Sequence, residues 1–148
     1  MVNRTLTGTY SRVIDEKLRI AIPKPLRRQF SEDLDLTLFV APGTERSLFL
    51  FTRDSFQDYG ERLAQHTTNR VDSRNYRRLF YSNADEVTLD AQSRIRIPER
   101  LITHAGLKHD VVLAGVHDHA EIWDKELWDA FVAANASQFD DMASHAFD

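Results

Sequence analysis

One twelve-residue pattern occurs twice in this chain, and that constrains the fold more than any other feature. Asp15-x-x-x-Arg19-Ile20-x-Ile22-Pro23-x-x-Leu26 returns as Asp90-x-x-x-Arg94-Ile95-x-Ile97-Pro98-x-x-Leu101, six identities at an offset of 75 residues. Leu36-Thr37-Leu38 aligns with Val111-Val112-Leu113 at the same offset. Leu50-Phe51-Thr52-Arg53 aligns with Ile122-Trp123-Asp124-Lys125 at 72, and Phe56 with Trp128. The reading places the three-residue difference in the turn-rich stretch 42–46, where insertions are tolerated. Internal duplication means one supersecondary unit used twice. Each unit has only about 50 residues, too few to offset chain entropy with a core of its own. Two copies sharing one core about a pseudo-twofold axis is the economical arrangement.

Each copy reads as strand, turn, strand, short helix, two strands and a longer helix, an α+β fold that is mainly β. First strands are expected at 10–14 and 86–89, and second strands at 19–22 and 94–97. Alternation turns Ile20, Ile22, Ile95 and Ile97 inward and Arg19 and Arg94 to the opposite face. Pro23 and Pro98 end those strands and lead into helices at 24–30 and 99–104, the second stopped by Gly106. Strands follow at 36–41, 48–51, 111–115 and 121–123. Thr52 and Asp124 are expected to cap the helices carrying Phe56, Tyr59 and Leu63, and Leu127, Trp128 and Phe131. The expected organisation is a first copy over 5–63, a connector and bridging helix over 64–83 (polar over 64–72, helical over 73–82) and a second copy over 84–133. Residues 134–148 lack clear periodicity and are expected to be a mobile acidic tail.

Composition limits the chemistry. The chain has 148 residues and no cysteine, which excludes disulfides, zinc–thiolate sites, iron–sulfur clusters and cysteine nucleophiles. The N-terminus lacks the apolar stretch of a secretion signal and no apolar run reaches 18 residues, so no membrane partner is expected. The net charge of −4 conceals an asymmetry. Residues 117–148 hold eight acids against Lys125 alone, whereas residues 1–30 hold seven bases against Asp15 and Glu16. Fifteen of the 19 bases are arginine, whose planar fork suits phosphates and guanine edges. No Gly-rich phosphate loop, His-Glu-x-x-His or Gly-x-Ser-x-Gly motif is present, so no enzyme and no cofactor is expected.

The doubled Asp-x-x-x-Arg-Ile-x-Ile-Pro pattern resembles the MraZ family of bacterial transcriptional regulators. So do the run 76–87 and the pair Val111–Val116 and Glu121–Lys125. The resemblance covers roughly residues 7–132. It implies a swapped-hairpin, AbrB-like (double-psi) barrel built from two tandem pseudo-twofold copies with peripheral helices. It further implies a homo-oligomeric ring that binds double-stranded DNA at tandem promoter repeats of division and cell-wall genes, in the cytoplasm at the nucleoid. Carried over to this chain, the DNA-contacting turns are Asp15 with Arg19 and Asp90 with Arg94. Lys17, Arg12 and Arg96 are the neighbouring bases expected to assist. The family usually has glycine directly before the motif arginine, where this chain has Leu18 and Ser93. A leucine tolerates a left-handed turn poorly, so the first turn is expected to be rebuilt around a packed Leu18.

Each sharp reading has a bland counterpart. An Asp-x-x-x-Arg can simply close a turn, with the aspartate capping its own backbone; duplication and resemblance favour DNA contact. Arg74, Arg77 and Arg78 are expected to meet solvent or a neighbouring subunit. His117-Asp118-His119 reads as a polar hairpin tip rather than a metal site, and Trp123, Trp128 and Phe131 read as core. The functional alternative is a protein-assembly module that kept the duplicated fold and lost its DNA target.

Overall fold

The computed structural model describes residues 5–31, 36–66 and 70–148. The chain order is β1 (Thr9–Val13), β2 (Arg19–Ala21), α1 (Lys24–Phe30), β3 (Thr37–Pro42), β4 (Leu48–Thr52), α2 (Arg53–His66) and α3 (Val71–Asn83). The second copy follows as β5 (Asp85–Thr88), β6 (Arg94–Arg96), α4 (Glu99–Ala105), β7 (Asp110–Gly115), β8 (Ala120–Asp124) and α5 (Lys125–Asn135). A 3-10 turn at Ala136–Gln138 and α6 (Phe139–His145) complete the described chain.

Six strands form one antiparallel sheet in the order β1-β7-β8-β4-β3-β5, and β2 pairs with β6 in a separate two-stranded ribbon. The copies are interlaced. β1 of the first copy pairs with β7 of the second, and β5 of the second pairs with β3 of the first. The fold is therefore α+β, as expected, with antiparallel sheets, but helices hold more of the described residues than strands, so it is not mainly β. It is not a closed barrel: β1 and β5 are the two ends of the sheet. β2 and β6 pair with each other, and the ribbon joins the sheet through the Ile14–Ile20 bridge and through the Asp15 and Asp90 N–H groups, which donate to the Arg19 and Arg94 carbonyls.

Strand alternation sorts the side chains into two layers of core. Leu38, Val40, Leu48, Leu50, Val111, Leu113 and Ile122 face the ribbon and the short helices, packing with Ile20, Ile22, Leu26, Ile95, Ile97 and Leu101. On the opposite face, Ala41, Phe49 and Phe51 pack with Phe80 of α3. Phe80 lies 5.2 Å from Tyr59, 6.1 Å from Phe56 and 6.5 Å from Phe51 between ring centroids.

The expected helix signals operate. Thr52 Oγ1 accepts from the Ser55 N–H (3.1 Å) while Ser55 Oγ accepts from the Thr52 N–H (3.0 Å), a reciprocal cap. Asp124 accepts from the Glu126 N–H (3.2 Å) and also from the Lys108 N–H (3.2 Å), so it caps α5 and holds the α4–β7 connection. Gly106 takes φ 61° and ends α4.

Three expectations need correction. The strand register equates Leu38 with Val111, since each faces the first capping residue of the following helix, Thr52 and Asp124 respectively. The copies thus differ by 73 in this hairpin, not 75. Two of the three extra residues lie between α1 and β3, and only one lies in the β3–β4 turn. Similar apolar triplets allow a two-residue slip because it preserves which side faces the core. Second, the stretch 64–72 is not all connector: α2 runs to His66 and α3 starts at Val71, with 67–69 outside the described residues. Third, 134–148 contains helix over Phe139–His145, where apolar residues recur too sparsely to stand out among the acids.

Replacing Phe80 by alanine should cost about 3–5 kcal/mol, because a fully buried ring holding α3 to the sheet is lost. Urea denaturation measures this; a loss under 1 kcal/mol would mean that α3 is not anchored there.

Candidate nucleic-acid interface

Each Asp-x-x-x-Arg segment folds into a turn held by its own aspartate. Asp15 Oδ1 accepts from the backbone N–H groups of Lys17 and Arg19, both at 2.9 Å, and Oδ2 accepts from Arg19 Nε at 2.8 Å. Asp90 repeats this with Gln92 (2.8 Å), the Arg94 N–H (3.0 Å) and Arg94 Nε (2.9 Å). The backbone closes identically: the Asp15 N–H donates to the Arg19 carbonyl (3.0 Å) and the Leu18 N–H to the Asp15 carbonyl (2.9 Å).

The turns are also tied across the copies. The Ile22 N–H donates to the Ser93 carbonyl and the Ile97 N–H to the Leu18 carbonyl, each at 2.8 Å. Arg94 Nη1 comes within 3.9 Å of Asp15 Oδ2, so the two pairs are neighbours. Ribbon register places Arg19 opposite Arg96 and Ala21 opposite Arg94. Directly opposed residues share a face, so Arg19, Arg94 and Arg96 emerge together while Ile20 and Ile95 are buried beneath them.

The Arg19 and Arg94 side chains are 27% and 26% exposed, and Arg96 is exposed. Their Nε atoms are committed to aspartate, which restrains the guanidinium planes, and Arg94 Nη1 faces Asp15 of the other turn. Lys17 lies exposed at the tip of the first turn. Arg12 lies apart from this group: on β1, it donates to the Ser11 carbonyl (2.7 Å), and no hydrogen bond or ion pair joins it to either turn among the described residues. The bland reading of Asp-x-x-x-Arg therefore holds as far as Nε, and the sharp reading depends on what the terminal nitrogens meet.

The first turn is not rebuilt, contrary to expectation. Leu18 has φ 63° and Ser93 φ 59°, the left-handed conformation that favours glycine. Three bonds to aspartate and one to the other copy dictate this backbone whatever side chain it carries. Leu18 is partly buried against the core, as expected, and so does not cover the arginine face. The cross-copy carbonyl bonds had no sequence signal, because backbone carbonyls are the same in every residue. The unchanged five-residue length of both motifs was the one clue that the turn geometry is retained.

The backbone N–H of the motif arginine is the main influence holding the Asp15 and Asp90 carboxyls below the ordinary aspartate value; the other bonds to Lys17, Gln92 and the arginine side chains add to it, against partial burial. At the β7–β8 tip, His119 Nδ1 lies 2.8 Å from Asp118 Oδ1, and Arg62 Nη2 bonds Asp118 Oδ2 at 2.8 Å. Burial disfavours the charged imidazole, but Glu121 and Asp118 outweigh it and raise its pKa. This tip is a packed polar cluster against Phe49, and no group of three metal-ligating side chains occurs among the described residues.

These features define a class: a duplicated α+β domain whose two halves jointly present a pair of aspartate-braced arginines. A protein-family model described as "MraZ protein, putative antitoxin-like" matches the chain twice in tandem, over residues 5–79 and 80–148. The chain belongs to the MraZ family. No helix among the described residues is long and apolar enough to cross a membrane.

Two measurements check the turns. Ser93→Gly relieves a left-handed serine and should stabilise the fold by about 0.5 kcal/mol, whereas Leu18→Gly also loses packing and should cost about 1 kcal/mol net. Thermal melts on either side of the parent are expected, and both falling below it would mean that the left-handed position is unstrained. The depressed Asp15 and Asp90 values mean that their stabilisation is complete above the unfolded aspartate pKa and is lost as pH falls through the folded one. NMR titration of the carboxyl carbons should place both midpoints below the ordinary value of an aspartate in an unfolded chain.

Proposed function

We propose that this protein is a non-enzymatic, sequence-specific regulator that binds double-stranded DNA with the ribbon face carrying Arg19, Arg94 and Arg96. The observation that carries this reading is the shared register of the three arginines. Two are held at Nε by Asp15 and Asp90 and remain partly exposed. A two-stranded ribbon is narrow enough for the major groove, and arginine bonds guanine O6 and N7 bidentately. Aspartate bracing lowers the entropy lost when each fork docks. Lys17 supplies a phosphate contact at the tip. Arg12 is assigned no direct role.

The alternative, an assembly module without a DNA target, would be favoured by acids or the Leu18 side chain covering this face. Leu18 turns into the core, and the two motif carboxylates are engaged in bracing. The interlaced first strands support an AbrB-like swapped-hairpin origin for the fold. One ribbon reads few bases, so useful affinity requires several chains on tandem promoter repeats, and we propose a homo-oligomeric ring acting at the nucleoid on division and cell-wall genes.

Arg96→Ala leaves both aspartate pairs intact, and should weaken binding to a labelled duplex from the gene's own promoter by about 1–3 kcal/mol per engaged chain. Arg19→Ala and Arg94→Ala should each do the same, with avidity multiplying the loss. Fluorescence anisotropy at fixed salt reads the affinity, and circular dichroism confirms folding. Undiminished binding by a folded triple variant would refute the assignment.

A further inference from the structure

The two ends of the arginine ribbon share a backbone but not a chemistry. The midpoint of the ribbon is the Ile20–Ile95 pair, and the turns flank it with matching geometry. Arg19 Nε meets Asp15 at 2.8 Å and Arg94 Nε meets Asp90 at 2.9 Å. The Leu18 and Ser93 carbonyls accept equivalent bonds from the opposite copy, each at 2.8 Å. This local pseudo-twofold matches the twofold of a DNA duplex backbone. The two frames can therefore be laid together either way round, and only side chains can choose between the two orientations.

Three side-chain features break the symmetry. Arg19 stands opposite Arg96, whereas the equivalent pair at the other end is Arg94 and Ala21. Lys17 at the first tip is matched by Gln92 at the second, and both are exposed. Glu16, exposed on the first tip, offsets the Lys17 charge but leaves the guanidinium count at that end unchanged. Arg94 also reaches past the midpoint: its Nη1 comes within 3.9 Å of Asp15 Oδ2 in the first turn. No ion pair joins Arg19 to Asp90 in return among the described residues. The guanidinium groups thus gather toward the first turn, and the other end has a methyl group and an amide in place of two cations.

One arginine takes O6 and N7 of one guanine. The Arg19–Arg96 end can therefore hold two guanines, and the Ala21–Arg94 end one. We propose that the difference between Ala21 and Arg96 fixes the direction in which each chain lies on its DNA repeat, with the Arg19–Arg96 end over the half richer in guanine. The proposal rests on the DNA reading above and adds orientation to it. Ala21 is a specificity position through what it lacks. A bidentate contact made in one orientation and forfeited in the other favours the first by about tenfold or more.

Affinity cleavage reads the direction. The chain has no cysteine, so a Gln92→Cys substitution carries an iron–EDTA reagent to the second tip alone. The turn uses the backbone N–H of residue 92, which the substitution keeps. On a labelled duplex from the gene's own promoter at saturating protein, cuts should fall on one side of each repeat, about tenfold over the other. Ala21→Arg/Arg96→Ala keeps the arginine count and moves the extra arginine to the other end, where the register is the one that already places Arg96 opposite Arg19. Cutting should then move to the opposite side. Arg96→Ala alone removes the excess and should bring the two sides toward equality, and this arm stands if the exchanged chain fails to fold by circular dichroism. Fluorescence anisotropy on the same duplex separates the two readings. A folded parent that does not bind refutes the DNA reading and the orientation with it. A parent that binds but is cut equally on both sides, or an exchanged or Arg96→Ala chain that binds and keeps the parent's one-sided pattern, overturns the orientation alone.

Discussion

The structure depends on a pair of backbone hydrogen bonds that neither copy can make alone. The carbonyls of Leu18 and Ser93 accept from the N–H groups of Ile97 and Ile22, each in the opposite copy. These bonds and the three-residue ladder between β2 and β6 set one turn beside the other and bury Ile20 and Ile95 beneath them. The aspartates hold each turn in the shape that aims its carbonyl across, and the same carboxylates fix the arginine planes. Folding and presentation of the arginines thus rest on the same few atoms. A left-handed leucine and a left-handed serine persist here because the bonds around them outweigh a strain of about 1–2 kcal/mol apiece.

The frame is symmetric but its chemistry is not. Ala21 of the first copy stands where the second has Arg96, and Lys17 where the second has Gln92. The proposed DNA face therefore carries three arginines and a lysine in an uneven pattern, which an internally duplicated chain can evolve and a homodimer cannot. The aromatic side chains diverge in the same way: Phe51, Phe56 and Tyr59 pack under Phe80, whereas their counterparts Trp123, Trp128 and Phe131 make ring contacts with one another. Sheet exchange makes this divergence tolerable, because β1 and β5 lock each copy to the other whatever the loops and helices become.

Much of this was legible in the sequence. The repeated motif, with alternating isoleucines and a following proline, marked both ribbon strands and the short helices. Thr52, Asp124 and Gly106 marked helix ends because their side chains, or the lack of one, act locally. Pairing partners were not legible, since β1 and β5 carry no mark of which hairpin they join. The hairpin offset is not legible to within two residues, because a slip of two leaves an apolar pattern unchanged. The turn at Leu18 is not legible either, because local preference disfavours a left-handed leucine and the hydrogen bonds around it override that preference. Of the candidate contacts, Arg19, Arg94 and Arg96 share a face with Lys17 at its tip, whereas Arg12 lies apart; the difference is one of register, which spacing does not encode.

The central claim is that DNA meets the guanidinium groups of the ribbon. The most direct measurement is the NMR spectrum of the arginine side-chain nitrogens as a promoter duplex is added. The signals of Arg19, Arg94 and Arg96 should shift or broaden with bound duplex while those of Arg12 do not. Saturable binding that leaves these three unperturbed, or that moves only the signals of the α3 arginines, would contradict it.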